Sequence, residues 1–247
     1  MIIRSDEYED IDVPGHGPMR VHLFRPAVDG RFPGVLFFSE IYQVTGPIRR
    51  LAALVAGQGY VVAVPEVYHE FEPAGTALAY DQPGTDRGNA LKFAKPVAAY
   101  DADARGALAF LAAHPACTGK LATVGVCLGG HLAYRAALNP DVWAAACFYP
   151  TDIHSGTLGE GKADDSLARM TELKAETLFV WGRQDPHVPY TGREAIRARL
   201  ETVGARYEWH EANAQHAFLR DEGPRYDPAL FLQAVGWMLA LFDRTLR

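Results

Sequence analysis

One cysteine lies in a setting typical of an enzyme nucleophile. Cys127 follows the apolar run 121–126 and stands between Gly125 and Gly129, and apolar residues at helical spacing come directly after it. This strand–turn–helix pattern is the nucleophile elbow G-x-Nuc-x-G, with cysteine as the nucleophile. A side chain on either glycine would collide with the neighbouring strand and helix, and the sulfur at a helix N-terminus favours the thiolate. The alternative is a structural cysteine buried in an ordinary strand–helix turn.

The residues that could activate this thiol follow two later runs. Asp185 comes after the apolar run 177–181, and His216 lies in the loop after the predicted strand 206–210. Parallel strands present functional groups at their carboxyl ends, so we expect these side chains to meet. The order Cys127, Asp185, His216 is nucleophile, acid and base, as in one class of hydrolase triad. In that triad Asp185 orients His216, and His216 takes the thiol proton.

Other interpretations of these residues remain open from the sequence. His187 and His131 are alternatives for the base, and His131 lies four residues past Cys127 on the same predicted helix. No acid is placed to orient His131, which disfavours it. Asp185 alone would also suit an Asx-turn, and His216 alone would suit an exposed loop.

Hydrolysis by a thiolate also needs donors for the developing oxyanion. The backbone N–H of Leu128, the residue after the nucleophile, is one, and the second is expected from Ile41 in the loop after the buried run 34–38. This chemistry needs no metal and no organic cofactor. The three widely spaced cysteines show neither a zinc-site pattern nor a disulfide framework.

Composition narrows the classes of function. A chain of 247 residues is expected to form a single domain, 1–247, and its net charge of −6 disfavours a nucleic-acid surface. No stretch is expected to cross a membrane, and the acidic first ten residues do not resemble a signal peptide. With so few cysteines, we expect a cytoplasmic protein, a monomer or weak homo-oligomer whose partner is a small molecule.

The alternation of strands and helices after residue 34 predicts an α/β fold. We expect a mostly parallel sheet with helices on both faces and an N-terminal antiparallel hairpin at one edge. The long Gly- and Pro-rich segment 65–95 is predicted to be a partly helical lid or binding loop, and 151–165 is a second irregular insertion. The predicted strands are 8–13, 19–24, 34–38, 60–64, 121–126, 144–149, 177–181 and 206–210. The predicted helices are 47–58, 96–114, one after Cys127, 191–202 and 229–246.

Nearly the whole chain resembles the dienelactone hydrolases (carboxymethylenebutenolidases), a cysteine branch of the α/β-hydrolases. The resemblance rests on the segments 39–41, 75–78, 125–131, 181–185 and 216–218. It implies an α/β-hydrolase fold and a lactone substrate. It also implies that Glu40 contacts the nucleophile's thiol and helps to deprotonate it when substrate binds.

The same resemblance implies arginines that hold a substrate carboxylate. Arg220, four residues past His216, matches one of them, and Arg87 is the candidate for the other. The chain departs from the family after Arg87. The aromatic pair expected four and seven residues later is replaced by Leu91 and Ala94, and extra residues are present at 80–84. We therefore expect an altered pocket.

These observations lead to one predicted function and two alternatives. The prediction is a hydrolase that opens a lactone or activated ester through a Cys-His-Asp triad and a thioester acyl-enzyme, with little amidase activity. A broader carboxylesterase or thioesterase on the same scaffold is the first alternative. The second is a non-catalytic binding protein or thiol sensor that uses Cys127, although no resolving cysteine is evident.

Overall fold

A computed structural model describes all 247 residues, and its eight strands form one sheet. The strands are β1 (Ile3–Val13), β2 (Gly17–Pro26), β3 (Phe32–Phe38), β4 (Val61–Pro65), β5 (Cys117–Val126), β6 (Val142–Phe148), β7 (Glu176–Gly182) and β8 (Tyr207–Ala212). The helices are α1 (Gly46–Gly57), α2 (Gln82–Ala94), α3 (Val97–Ala113), α4 (Leu128–Ala136), α5 (Tyr190–Val203) and α6 (Pro228–Leu246). Short 3-10 turns lie at Glu160–Lys162 and Ala168–Glu172.

The sheet is mostly parallel, as predicted. Its strand order is β1-β2-β4-β3-β5-β6-β7-β8, in which β1–β2 and β2–β4 are antiparallel and every other pairing is parallel. The continuous apolar runs of β3, β4 and β7 are buried on both faces, as central parallel strands require. The exposed, acidic β1 lies at the edge, where charge discourages pairing with another chain.

Helices cover both faces of the sheet and create two apolar layers. On one face α1 and α6 pack against side chains of β3, β4, β5, β6 and β7. On the other face α3, α4 and α5 contribute to the second layer. This is the α/β-hydrolase arrangement that the resemblance implied. The carboxyl ends of β3, β5, β7 and β8 lead into the segments that carry the candidate site residues.

The segment 65–95 is more helical than its composition suggested. Its second half is α2, in which the carboxylate of Asp81 accepts a hydrogen bond from the Gly84 N–H at 2.8 Å and caps the helix. Two glycines and few apolar residues make this helix hard to recognise from periodicity, because only one narrow side is buried. An N-cap followed by proline is the signal that could have found it.

The C-terminal helix corrects one expectation. By length and composition α6 could cross a membrane, contrary to the prediction that no stretch could. Its apolar residues Leu230, Ala234, Met238 and Leu241 are buried in the layer against the sheet. Core packing therefore accounts for part of the hydropathy of this helix, since 39% of its apolar stretch is buried and Leu232 is exposed.

A buried lysine ties the 65–95 segment to the body of the protein. Lys95 Nζ lies 2.5 Å from Glu70 Oε2 and 2.7 Å from Asp103 Oδ2, and Asp103 Oδ1 is bonded to His69 Nε2 at 3.0 Å. Lys95 and Asp103 are fully buried. The ligand atoms of His69, Glu70 and Asp103 lie within 4.8 Å of one another, a spacing that could hold a metal ion, but the Lys95 ammonium supplies the positive charge there.

Loss of this ammonium should destabilise the fold. Lys95→Ala leaves the buried Asp103 carboxylate without its cation, and we expect a loss of about 3–5 kcal/mol in the free energy of unfolding. Urea denaturation measures the change. The matched control is Lys174→Ala, which removes an exposed lysine and should stay within about 0.5 kcal/mol of the unmodified protein. Equal losses in the free energy of unfolding for Lys95→Ala and Lys174→Ala would show that the buried Lys95–Asp103 pair has no special role in stability.

Candidate active site

The turn between β5 and α4 is strained and crowded. Cys127 has φ +59° and ψ −125°, a conformation that a non-glycine residue adopts only when its surroundings enforce it. A Cβ on Gly125 would lie 1.9 Å from the Gly129 carbonyl oxygen, and a Cβ on Gly129 would lie 2.1 Å from the Phe38 carbonyl oxygen. The two glycines therefore allow the backbone to pass between its neighbours, and this geometry is that of the predicted elbow.

A histidine and an aspartate meet the cysteine at this turn. His216 Nδ1 donates to Asp185 Oδ2 at 2.6 Å, and Asp185 Oδ1 accepts the His187 N–H at 2.8 Å. His216 and Asp185 are both buried, and Cys127 is partly buried. Cys127 and His216 line the same cavity. The structure thus brings together the three residues that the sequence placed in nucleophile, acid and base order.

The charges of this cluster depend on one another. Burial alone would lower the pKa of His216, but the charge on Cys127, the hydrogen bond to Asp185 and the bond to Cys127 outweigh burial and raise that pKa to about 10. Burial would likewise raise the pKa of Asp185, yet the hydrogen bond and charge of His216 hold it below its ordinary value. The pairing with Asp185 therefore favours a protonated His216 imidazole at neutral pH.

Two backbone N–H groups near the cysteine are free to act as donors. Ile41 follows β3 in a loop, and its N–H donates to no carbonyl or side chain. Leu128 is the first residue of α4, where an N–H has no acceptor within the helix. These are the two donors predicted for an oxyanion, and Ile41 also lines the cavity described below.

Glu40 is paired with the arginine that follows the histidine loop. Arg220 Nη1 donates to Glu40 Oε2 at 3.1 Å, and both side chains are buried. The Arg220 guanidinium also lies 4.5 Å from the centroid of the Tyr80 ring, which itself packs edge-on against Tyr42. Burial raises the pKa of Glu40, although the charges of Arg220 and His216 oppose this effect. In this structure the hydrogen bond of Glu40 is to Arg220 and not to Cys127.

These groups surround a cavity of about 240 Å³. A second ion pair lies in its wall, where Lys92 Nζ of α2 is 3.0 Å from Asp152 Oδ2. A volume below that of drug-sized pockets restricts the site to small ligands. The lining residues are Glu40, Ile41, Tyr42, Thr85, Asn89, Lys92, Cys127, Thr151, Asp152, His187, His216, Ala217, Arg220 and Arg225.

The structure does not bring every predicted residue to this cavity. Arg87 is half exposed, donates to Glu72 Oε1 at 2.6 Å and lies outside the lining, because its side of α2 faces away from Cys127. Conversely, Lys92 and Arg225 line the cavity although the sequence did not single them out. Arg225 could have been noticed, since it lies nine residues past His216 in the same loop region.

The two alternative bases occupy different places. His131 is buried, its Nε2 lies 2.6 Å from Ser166 Oγ, and burial lowers its pKa to about 4. It therefore joins α4 to Ser166, directly after the 151–165 insertion. His187 packs edge-on against His216 with ring centroids 4.6 Å apart, and burial and the charge on His216 lower its pKa. His187 lies at the cavity, but the carboxylate of Asp185 binds the ring of His216.

Sequence comparisons with known proteins point to one family. Residues 19–246 match the model of the dienelactone hydrolase family. A Saccharomyces cerevisiae protein named "Putative carboxymethylenebutenolidase" is 42% identical over 254 residues, which are 98% of this chain and 93% of that protein. The carboxymethylenebutenolidase of a Pseudomonas species is 31% identical and the match covers 88% and 87% of the two chains. The crystal structure of a "Putative Dienelactone Hydrolase" from Klebsiella pneumoniae superposes with a TM-score of 0.82, 25% identity and coverage of 98% and 99%.

The crowding at the elbow can be tested by adding one methyl group. In Gly129→Ala the new Cβ meets the backbone carbonyls of Phe38 and Ser39 at 2.1 and 2.4 Å, so β3 and α4 must separate. We expect a loss of about 2–4 kcal/mol in the free energy of unfolding. The control is Gly236→Ala in α6, where a Cβ meets nothing within 4 Å and should be neutral or stabilising by about 0.5–1 kcal/mol. Chemical denaturation compares them, and a stable Gly129→Ala variant would contradict the close approach.

Proposed function

The chain belongs to the dienelactone hydrolase family of α/β-hydrolases and is an ester-cleaving hydrolase, and we propose that it acts on lactones or activated esters through Cys127, His216 and Asp185. The observation that carries this proposal is the strained Cys127 at the elbow, which lines one cavity with a buried histidine that is hydrogen-bonded to a buried aspartate. Such an arrangement supplies a nucleophile and its base in the geometry of a triad.

The proposed reaction has two halves. The Cys127 thiolate attacks the carbonyl carbon, and the N–H groups of Leu128 and Ile41 stabilise the oxyanion. The C–O bond then breaks, a thioester forms, and the leaving oxygen receives the proton carried by His216. In the second half His216 takes a proton from water, which attacks the thioester and releases the acid and the thiol. Asp185 keeps the imidazole oriented throughout.

The nucleophile limits which substrates can react. A thiolate is itself a good leaving group, so the tetrahedral adduct returns to reactants unless the departing group leaves at least as easily. Enol lactones, aryl esters and thioesters satisfy this condition, and amides do not. The cavity of about 240 Å³ favours a small acyl group. All three cysteines are free, and a reduced Cys127 is what the mechanism needs, which supports action in the reducing cytoplasm.

Glu40 and Arg220 have a proposed part in substrate binding. An anionic substrate that approaches the Arg220 guanidinium competes with Glu40 for it, because both offer a carboxylate oxygen. A displaced Glu40 carboxylate, buried beside His216, is then a second group that can accept a proton from the thiol. This is the role that the family resemblance implied for Glu40.

A broader carboxylesterase or thioesterase is the second candidate. Leu91 and Ala94, at the positions where the family pattern has aromatic residues, lie outside the cavity lining, with Leu91 buried and Ala94 exposed. The aromatic side chain that lines the cavity is Tyr42, from the loop after β3. A cavity wall that differs from the family pattern supports a different acyl group in the substrate. Turnover of dienelactone and of an aryl ester distinguishes the lactone hydrolase from the broader esterase.

Turnover of two substrates by two variants tests the proposal. The unmodified protein should hydrolyse dienelactone and an aryl acetate, and Cys127→Ala should lower both rates at least 1,000-fold because the nucleophile is gone. The control is Cys147→Ala, which removes a buried thiol of β6 whose pKa burial raises; it should keep the rates within about twofold.

Each outcome separates the candidates. Efficient turnover of dienelactone supports the narrow function, whereas turnover of the aryl ester alone supports the broader esterase. Rates that do not change in Cys127→Ala would contradict the cysteine mechanism and favour the thiol sensor.

The charge coupling at His216 gives a second test. Its pKa of about 10 lies above the ordinary value of 6.5, so the interaction stabilises the folded protein fully below about pH 6.5 and is lost as pH rises toward 10. In Cys127→Ala the thiolate is absent, and the pKa of His216 should fall. Titration of the imidazole by NMR in both proteins measures this shift. An identical His216 titration in both would show that no thiolate–imidazolium pair forms.

A further inference from the structure

One edge of the sheet is open. Strand β8 pairs with β7 and with no other strand. The carbonyls of Arg206 and Ala212, at its two ends, accept hydrogen bonds from N–H groups of β7 and of the residue after it. Because these groups alternate in direction along a strand, the N–H and C=O groups of Tyr207, Trp209 and Glu211 point away from β7. None of them has a hydrogen-bond partner in the chain.

The two edges of the sheet differ in the features that prevent pairing. At the other edge, β1 is mostly exposed and acidic, and its pairing with β2 is irregular between Arg4 and Glu7. In contrast, β8 contains no proline, its register with β7 is uninterrupted, and Tyr207 and Trp209 are residue types that favour strands. Natural edge strands avoid association through charge, proline or bulges, and β8 lacks the last two. It is therefore the edge better suited to pairing.

Contacts within the chain hold β8 as a fixed template. The indole of Trp237 in α6 stacks on the His210 ring with centroids 3.8 Å apart, and Arg244 Nη2 lies 2.5 Å from Glu208 Oε1. The His210 side chain is nevertheless 32% exposed, and its Nε2 has no hydrogen-bond partner. A strand that is ordered in advance loses little conformational entropy when it pairs.

We propose that β8 pairs antiparallel with β8 of a second copy of this chain, with the two-fold axis at Trp209, so that the two sheets become one. A two-fold contact of this kind is closed, because the same surface is used on both copies. Tyr207 of each copy then faces Glu211 of the other, and the two Trp209 residues face each other. All of these are positions whose backbone groups point outward, and they form roughly six new hydrogen bonds. This inference goes beyond the proposed reaction and does not depend on it.

The register follows from the side chains between these positions. With the axis at Trp209, Glu208 of each copy lies opposite His210 of the other, and an imidazole N–H can donate to a carboxylate. An axis at Glu208 would set two carboxylates against each other, and an axis at His210 would set two imidazoles against each other. Either shift also shortens the ladder. The strand is thus complementary to itself, which identifies the occupant as a second copy of this chain.

The geometry has consequences for affinity and for the cavities. β8 has six residues, and small interfaces belong to weak or transient complexes, so we expect a dimer that forms and dissociates with protein concentration. The carboxyl ends of two antiparallel strands point in opposite directions. The two cavities therefore lie apart, and each copy keeps a complete site.

Sedimentation velocity over a wide range of protein concentration tests the pairing. The unmodified protein should pass from monomer to dimer. Tyr207→Pro removes an N–H that points outward and keeps the bonds to β7, and it should weaken association at least about 10-fold. Circular dichroism and urea denaturation verify that this variant folds like the unmodified protein. A folded Tyr207→Pro variant that associates as strongly as the unmodified protein overturns the proposal.

An exchange of charges tests the register. His210→Glu sets a carboxylate opposite Glu208 of the second copy and should weaken association at least about 10-fold. The double variant with Glu208→His and His210→Glu restores the complementary pair and should recover most of the loss. The control is Ala109→Glu, which adds a negative charge on the exposed side of α3 and should leave association unchanged. If the double variant associates as weakly as His210→Glu, the axis at Trp209 is wrong.

Hydrogen exchange locates the interface without any substitution. The amides of Tyr207, Trp209 and Glu211 should exchange more slowly as protein concentration rises, whereas those of Glu208 and His210 are bonded to β7 at every concentration and should not change. A protein that remains monomeric at all concentrations overturns the proposal. So does a dimer in which exchange at the three outward amides is independent of concentration, because such a dimer uses another surface.

Discussion

The close passage of the backbone at the elbow is the constraint on which the site depends. The first turn of α4 lies against the carbonyl oxygens at the end of β3, and Gly129 is the residue that permits this contact. The same contact fixes Cys127 in its strained conformation and places the free N–H groups of Leu128 and Ile41 on adjoining segments. The positions of the proposed nucleophile and of the proposed oxyanion donors are thus consequences of one packing arrangement.

Charge balance is the second organising feature of the cavity. Burying a charge without a partner is costly, and each buried carboxylate here has a cation or an N–H group beside it. Asp185 is matched by His216, and Glu40 by Arg220. In the proposed mechanism the His216 imidazolium in turn stabilises the thiolate of Cys127, so the reactive form of that residue depends on a carboxylate that does not touch it. A change at Asp185 therefore acts on the sulfur through the imidazole.

Much of the architecture could be predicted from the periodicity of apolar residues and from the positions of glycine and proline. Buried parallel strands have continuous apolar runs, and the Gly-Val-Cys-Leu-Gly turn is specific enough to identify the elbow. Side-chain pairing could not be predicted. Nothing local in the sequence shows that Glu72 engages Arg87, that Glu40 engages Arg220, or that Arg225 is left free. These pairings depend on distances across the fold. Helix α2 could not be recognised from the sequence, because its glycines weaken the periodicity of apolar residues.

The buried Lys95 has a consequence for how this scaffold could change. Its ion pairs hold the segment that carries α2 at points outside the cavity, to α3 and to the start of the loop after β4. The wall formed by Thr85, Asn89 and Lys92 is thus held partly from outside the cavity, and inside it Thr85 is bonded to Tyr42 and Lys92 to Asp152. Asn89 is the position of this wall whose side chain forms no hydrogen bond, so a new side chain there breaks none of these contacts. Such freedom makes α2 the natural place to diversify acyl-group preference by directed evolution.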